Sequence, residues 1–205
     1  YGKNDVSRQE ITLIPGVVKK IMDNNVKRLY EACEFFNDDK TKNIYKKLQV
    51  WVKDGKFSFL FDNQKEIDLT LKAVNSINLT DILDKKAILI PVITYLLHKI
   101  EDIISQSDDS AVLVLDEAWR LIDNYAFAPK MTNFLKRMHQ HNCIVIFATE
   151  SVDDVAETEI TKNISEQIAT QIFLPNQKAT DYYKTVFGLN EEEFNILFIM
   201  DNFKR

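Results

Sequence analysis

Apolar residues recur at helical spacing from Glu10 to about Val52: Ile14, Val17, Val18 and Ile21, then Val26, Leu29, Tyr30, Cys33 and Phe36, then Ile44, Leu48 and Trp51. Intervals of three and four residues put one apolar stripe along a helix, so this region is predicted to be helical. Asp54-Gly55 breaks the pattern. The alternation Phe57-Ser58-Phe59-Leu60-Phe61 then predicts a strand that runs into a turn at Asp62-Asn63. A second extended stretch is expected from Asn75 to Asn78.

The pattern changes in the second half. Ala87 to Ser105 predicts a long helix with Pro91 in its first turn and Ile90, Ile93, Leu97, Ile100 and Ile104 on its buried stripe. After a polar loop, Ala111-Val112-Leu113-Val114-Leu115 is a continuous apolar run of strand length, as expected for a parallel strand covered on both faces. Helical sequence from Trp119 to His139, a strand at Cys143 to Ala148, helical sequence from Val152 to Ile168 and a strand at Thr170 to Leu174 follow. Two closing helices, Thr180 to Phe187 and Glu191 to Phe198, flank Gly188, a predicted C-cap. Strands alternating with helices imply right-handed crossovers and a mostly parallel sheet, with ligands beyond the carboxyl ends of its strands. The predicted class is therefore α/β, a parallel sheet flanked by helices, with a helical subregion over residues 1–56 and the α/β core over 57–205.

Composition narrows the reading. A chain of 205 residues that is 45% hydrophobic and 28% charged suits one soluble globular domain. A net charge of -5 disfavours non-specific nucleic-acid binding, which needs clustered Lys and Arg in excess. Lys40, Lys42, Lys46 and Lys47 are mixed with acidic or apolar neighbours, as on a solvated helix face. Two cysteines, Cys33 and Cys143, make neither a disulfide framework nor a zinc spacing, which fits a reducing compartment. No apolar run reaches membrane-spanning length and no signal sequence precedes the first helix, so a cytoplasmic location is expected. His139 and His141, two apart, do not share a helix face, and His98 reads as a packing residue.

Candidate chemistry gathers where the apolar run Val112 to Leu115 ends in Asp116-Glu117. Two adjacent carboxylates at the carboxyl end of a buried strand resemble a Walker B motif. In that chemistry the Asp holds Mg²⁺ through its water shell, and the Glu deprotonates the water that attacks the γ-phosphate of ATP. The next strand ends in Thr149-Glu150-Ser151, where RecA-like motors place a polar γ-phosphate sensor. The same residues also suit a plain strand exit with a helix N-cap at Ser151.

Several segments together resemble a known family, the large ATPase of bacterial type IV secretion systems, the VirB-four group, with its conjugative relatives TrbE and TraC. They are Leu60-Phe61-Asp62-Asn63, Leu79 to Asp84, Leu115-Asp116-Glu117-Ala118-Trp119-Arg120, Phe147-Ala148-Thr149-Glu150-Ser151 and Ile172-Phe173-Leu174-Pro175-Asn176. The resemblance implies a RecA-like P-loop NTPase core that uses ATP and Mg²⁺. It casts Asp116 as the Mg²⁺ residue, Glu117 as general base and Glu150 at the sensor position. Its implied partners are identical subunits, forming a hexamer in the family, and other secretion components at the inner membrane. The implied location is peripheral, on the cytoplasmic face of that membrane. Hexameric motors complete each site with a neighbour's arginine, and Arg120 and Arg137 are the candidates; Arg137, late in its helix, suits a solvated surface position better than a subunit interface, and Arg120 is placed to brace the Asp-Glu turn.

Two departures qualify the resemblance. The family carries Gln where this chain has Glu150. No Gly-x-x-x-x-Gly-Lys-Ser/Thr occurs, the only glycines being Gly2, Gly16, Gly55 and Gly188. With no initiating Met either, a fragment cut from a longer chain is expected, one that hydrolyses little by itself. A DNA-pumping motor of the FtsK/HerA kind and a catalytically silent docking or oligomerisation module are the alternatives.

Overall fold

A computed structural model describes residues 6–63, 73–117, 128–149 and 168–199. The chain divides into two compact units, Tyr1–Val92 and Ile93–Arg205.

Within the first unit, the stretch predicted to be helical, Glu10 to about Val52, forms helices. Helix α1 (Arg8–Asp23) begins in a capping box: the Glu10 N–H donates to the Ser7 hydroxyl at 3.2 Å, and the Ser7 N–H donates to the Glu10 carboxylate at 2.8 Å. Helices α2 (Leu29–Glu34) and α3 (Lys42–Leu48) pack together, and α3 continues into a 3₁₀ turn at Gln49–Trp51. Their core holds Cys33, Phe36, Ile44, Trp51 and Val52, together with Thr41, whose hydroxyl donates to the Phe36 carbonyl at 2.7 Å.

The strand predicted at Phe57 to Phe61 is instead a short helix, α4 (Ser58–Phe61). The aromatic spacing explains the difference. Phe57 and Phe61 are four apart, so one helical turn brings both rings to Trp51, at 5.0 and 5.5 Å, while Phe59 points outward at 65% exposure. A strand would have put all three rings on one side. Gly55 permits the reversal into α4, because a Cβ there would collide with the backbone carbonyls of Gln49 and Val50. The stretch from Asn75 to Asn78 forms no strand.

Helix α5 (Lys86–Ser105) matches its prediction in extent, but Pro91 is its sixth residue and so lies beyond the first turn. Its ring removes the N–H that would have bonded the Ala87 carbonyl, and the helix continues regardless. Ile88 and Leu89 are buried on the first-unit side of the division, and Ile93, Leu97 and Ile104 on the second.

In the second unit β1 (Ala111–Asp116) and β2 (Cys143–Ala148) pair in parallel, from Ala111 opposite Cys143 to Asp116 opposite Ala148. Helix α6 (Ala128–Gln140) joins them and packs on β2, burying Met131, Phe134 and Met138. Alternation puts Cys143, Val145 and Phe147 on one face of the pair, more covered than the other. Val112, Val114, Ile144 and Ile146 share the opposite face and are exposed, Val112 at 62% and Ile144 at 63%. Among the described residues this face is uncovered; the helix predicted from Val152 to Ile168 falls almost wholly outside them.

The strand predicted at Thr170 to Leu174 is likewise not formed. Its side chains do alternate, with Phe173 turned inward and Ile172 and Leu174 exposed, but no described strand pairs with it, and a strand exists only through a ladder. Phe173 joins a cluster built on Tyr183 and Leu197, with Phe187 and Phe194, from α7 (Tyr182–Phe187) and α8 (Glu191–Ile199), and Leu189 between the two helices. Gly188 closes α7 in the left-handed region, at φ 71°, and its N–H donates to the Lys184 carbonyl at 3.0 Å, as a C-cap glycine should.

Candidate active site

The two acids sit where the strand pattern placed them. Asp116 is the last residue of β1 and is exposed; Glu117 follows as the first residue of the turn. Period-two alternation puts Asp116 on the open face with Val112 and Val114, next to Ala148 of the neighbouring strand. Its Oδ1 accepts from the Glu117 N–H at 3.2 Å. The carboxylate therefore stands on a rigid apolar platform and faces outward from it.

Glu117 has φ of 53°, the left-handed region that L-residues with long side chains rarely occupy. The twist turns its side chain out of the strand's alternation, immediately beyond the sheet. Backbone strain of this kind concentrates at functional positions, where surrounding structure sustains it. Thr149 follows β2 directly, so both strands release polar residues at the same edge.

The remaining predicted positions separate. Glu150, Trp119 and Arg120 lie outside the described residues. Arg137 is in the last turn of α6, three residues before the helix ends and six before β2 begins. Because β1 and β2 are parallel, α6 must carry the chain back from the carboxyl edge to the amino edge of the sheet. The strand is roughly 17 Å long, so Arg137 lies about that far along the sheet from Asp116 of its own chain. Its guanidinium is held by Glu101 of α5, through Nε to Oε1 and through Nη2 to Oε2 at 2.9 Å. The Glu101 carboxylate raises the pKa of the guanidinium, keeping it charged.

His98 is not a packing residue: its side chain points to solvent, with Nε2 3.7 Å from Asp102 one helical turn on. A polar cluster that sequence reasoning did not assign surrounds Asp62. Arg28 Nη2 donates to its carbonyl at 3.1 Å and to Oδ1 at 3.3 Å, and the Lys53 N–H donates to Oδ2 at 2.9 Å. Lys53 itself has φ of 52°, so Asp62 fastens a strained turn and the N-cap of α2 together. Sequence reading places Asp62 in a turn and in a family-like tetrapeptide; its partners, 34 and 9 residues away, cannot be read from spacing.

A parallel β-α-β unit that ejects two adjacent carboxylates at its carboxyl edge is the arrangement of an α/β protein whose ligand site lies at the strand ends. The profile of the TraG P-loop domain matches residues 19–204, and the chain belongs to that family. Curated relatives agree. The chain is 34% identical over 166 residues to the type IV secretion system protein virB4 of Bartonella quintana, an alignment covering 80% of this chain and 21% of the relative. Against virB4 of Bartonella henselae the figures are 34% over 177 residues, 84% and 22%. Against the conjugal transfer protein TrbE of Rhizobium radiobacter they are 27% over 170 residues, 80% and 20%. The chain thus spans about a fifth of the length of these relatives.

Proposed function

We propose that the intact protein is a Mg²⁺-dependent ATPase energising type IV secretion, in which this chain supplies the acid pair of the hydrolytic site. The observation that carries the reading is the edge geometry: Asp116 exposed at the end of β1, Glu117 twisted into the left-handed region beside it, and β2 ending in register. The relatives' names supply the process, since they are secretion and conjugal transfer proteins.

The donor set fits magnesium. Mg²⁺ keeps much of its water and takes only one or two carboxylates besides substrate phosphates. An exposed Asp116 at a rigid strand end meets that need, and among the described residues no larger cluster of metal-ligating side chains competes. Bound there with ATP, the ion would neutralise charge on the phosphates. Asp116 would hold its water shell, and Glu117 would orient a water and take its proton. Glu150 would occupy the sensor position with Thr149 beside it. The phosphate cradle would come from polypeptide outside these 205 residues, which contain no Gly-x-x-x-x-Gly-Lys-Ser/Thr.

Arg137 is too far along the sheet to serve its own chain's acid pair, so its catalytic role in this proposal is in trans, within a homo-oligomer of the hexameric type. The working location is the cytoplasmic face of the inner membrane, among other secretion components. Steady-state ATP turnover by the intact protein and its Glu117→Gln variant tests the reading. The variant should lose about 10²–10⁴-fold, the range of general-base catalysis. Equal turnover in the two proteins would overturn it.

A further inference from the structure

Helix α1 presents an apolar face that no described part of the chain covers. Glu10 is its only buried residue, and no other described helix is packed along it. Ile14, Val17 and Ile21 form one half-buried stripe on the side of Glu10. Ile11, Pro15, Val18 and Met22, spaced four, three and four, form a second stripe about a quarter-turn round the helix. This one faces outward: Ile11 is 53%, Val18 41% and Met22 74% exposed. Arg8 and Lys19, both exposed, lie along its other shoulder, away from the half-buried stripe. The two acids of α1 leave that shoulder basic, because Glu10 is held by Ser7 in the capping box and Asp23 sits farther round on the polar side.

An apolar stripe with cations along its shoulder suits a helix lying in a lipid interface. The stripe enters the acyl boundary, and the long cationic stems reach up to anionic headgroups. No described helix is long and apolar enough to cross a membrane, so contact through α1 is peripheral. A second copy of α1 fits less well. In an antiparallel pair the Arg8–Lys19 shoulder would meet its twin's, like charge against like. The chain's net charge of -5 adds orientation, since an anionic surface repels the rest of the chain while drawing in this shoulder. Resting on the membrane-face location proposed above, we propose that α1 is a lipid-contact helix, seating Ile11, Pro15, Val18 and Met22 on an anionic bilayer surface with Arg8 and Lys19 at the headgroups.

The test is flotation of the intact protein with vesicles, either an equal mixture of phosphatidylcholine and phosphatidylglycerol or phosphatidylcholine alone. The wild type should float with the anionic vesicles and stay down with the neutral ones. An Ile11→Asp/Met22→Asp double variant should lose flotation while keeping its thermal midpoint and its ATP turnover, because both side chains are exposed. Lys19→Gln should weaken partitioning about fivefold, the weight of one cation at such a surface. A Met22→Trp variant places the reporter in the stripe itself, and its emission should shift to the blue when anionic vesicles are added. A double variant that floats like the wild type, or an indole that does not respond, overturns the role of α1 and leaves the membrane location standing. Emission already blue without vesicles means that another part of the protein covers the stripe; emission that turns blue with rising protein concentration means that a second copy does. Either overturns the proposal. If the wild type floats with neither vesicle, the membrane location falls together with it, whereas the ATPase reading is decided separately by Glu117→Gln.

Discussion

Asp116 lies in register with Ala148, so the smallest side chain of β2 stands beside the acid that ends β1. Both belong to the open face, above the Val112–Ile144 and Val114–Ile146 pairs. A small neighbour leaves room around the carboxylate for the water shell of a cation. Ala148→Leu would fill that room with an isobutyl group. In the intact protein this substitution is expected to cost up to about 10²-fold in ATP turnover, the scale of an ångström-sized misplacement. Circular dichroism should be unchanged and the thermal midpoint should fall only slightly, because Ala148 is half-buried and its neighbours on that face, Ile144 and Ile146, are exposed. Full turnover in Ala148→Leu would mean that the space beside Asp116 has no part in the chemistry.

Glu117 raises a different expectation, because its backbone and its side chain pull in opposite directions. A left-handed residue other than glycine costs about 1–2 kcal/mol, and glycine adopts the same φ without that strain but loses more chain entropy on folding. Glu117→Gly should therefore stabilise the protein slightly, by up to about 1 kcal/mol, while abolishing turnover. Chemical denaturation read beside ATP hydrolysis checks both at once. A variant that is both inactive and destabilised would show that Glu117 is held for packing.

The two strands and the acids at their edge were legible because an unbroken run of β-branched and aliphatic residues between polar loops writes a strand even where one of its faces is exposed. The same holds for α5 and for Gly188, where a local rule decides the structure. The errors are of another kind. Phe57 to Phe61 alternates like a strand, yet Trp51 gathers Phe57 and Phe61 at helical spacing, a contact that the five residues alone do not specify. Thr170 to Leu174 alternates in the folded chain too, but a strand needs a neighbour, and pairing is a property of the sheet. Pairs such as Arg137 with Glu101 depend on which helices meet, and no periodicity encodes that.

Asp62 should prove the most sensitive polar position of the first unit. Its side chain is only 5% exposed and accepts from both Arg28 and the Lys53 backbone. Asp62→Asn would leave one of those donors facing an NH₂ group. Charge-assisted hydrogen bonds contribute about 1.5–3 kcal/mol each, and the partial exposure of Arg28 reduces the ion-pair share, so a loss of about 2 kcal/mol is expected. Urea unfolding measures it. A loss below about 0.5 kcal/mol, the size of an ordinary surface change, would mean that the turn at Lys53 holds without this carboxylate.

Cys33 makes stability sensitive to alkali. It is 1% exposed, and burial, reinforced by Asp62 and Glu34, pushes its thiol from the usual 9.0 up to about 11. The folded state thus favours the neutral thiol. Its contribution to stability is fully present below pH 9 and is lost as pH rises toward 11, because the unfolded chain ionises first. Comparison with Cys33→Ala isolates this group from the tyrosines and lysines that titrate nearby. The stability difference between wild type and Cys33→Ala should be constant below pH 9 and shrink between pH 9 and 11. The thiol should also resist alkylation at pH 8, since the thiolate is the reactive form and burial withholds it. A difference that stays flat to pH 11, or rapid alkylation of Cys33 in the folded protein, would show that the thiol is reached by solvent.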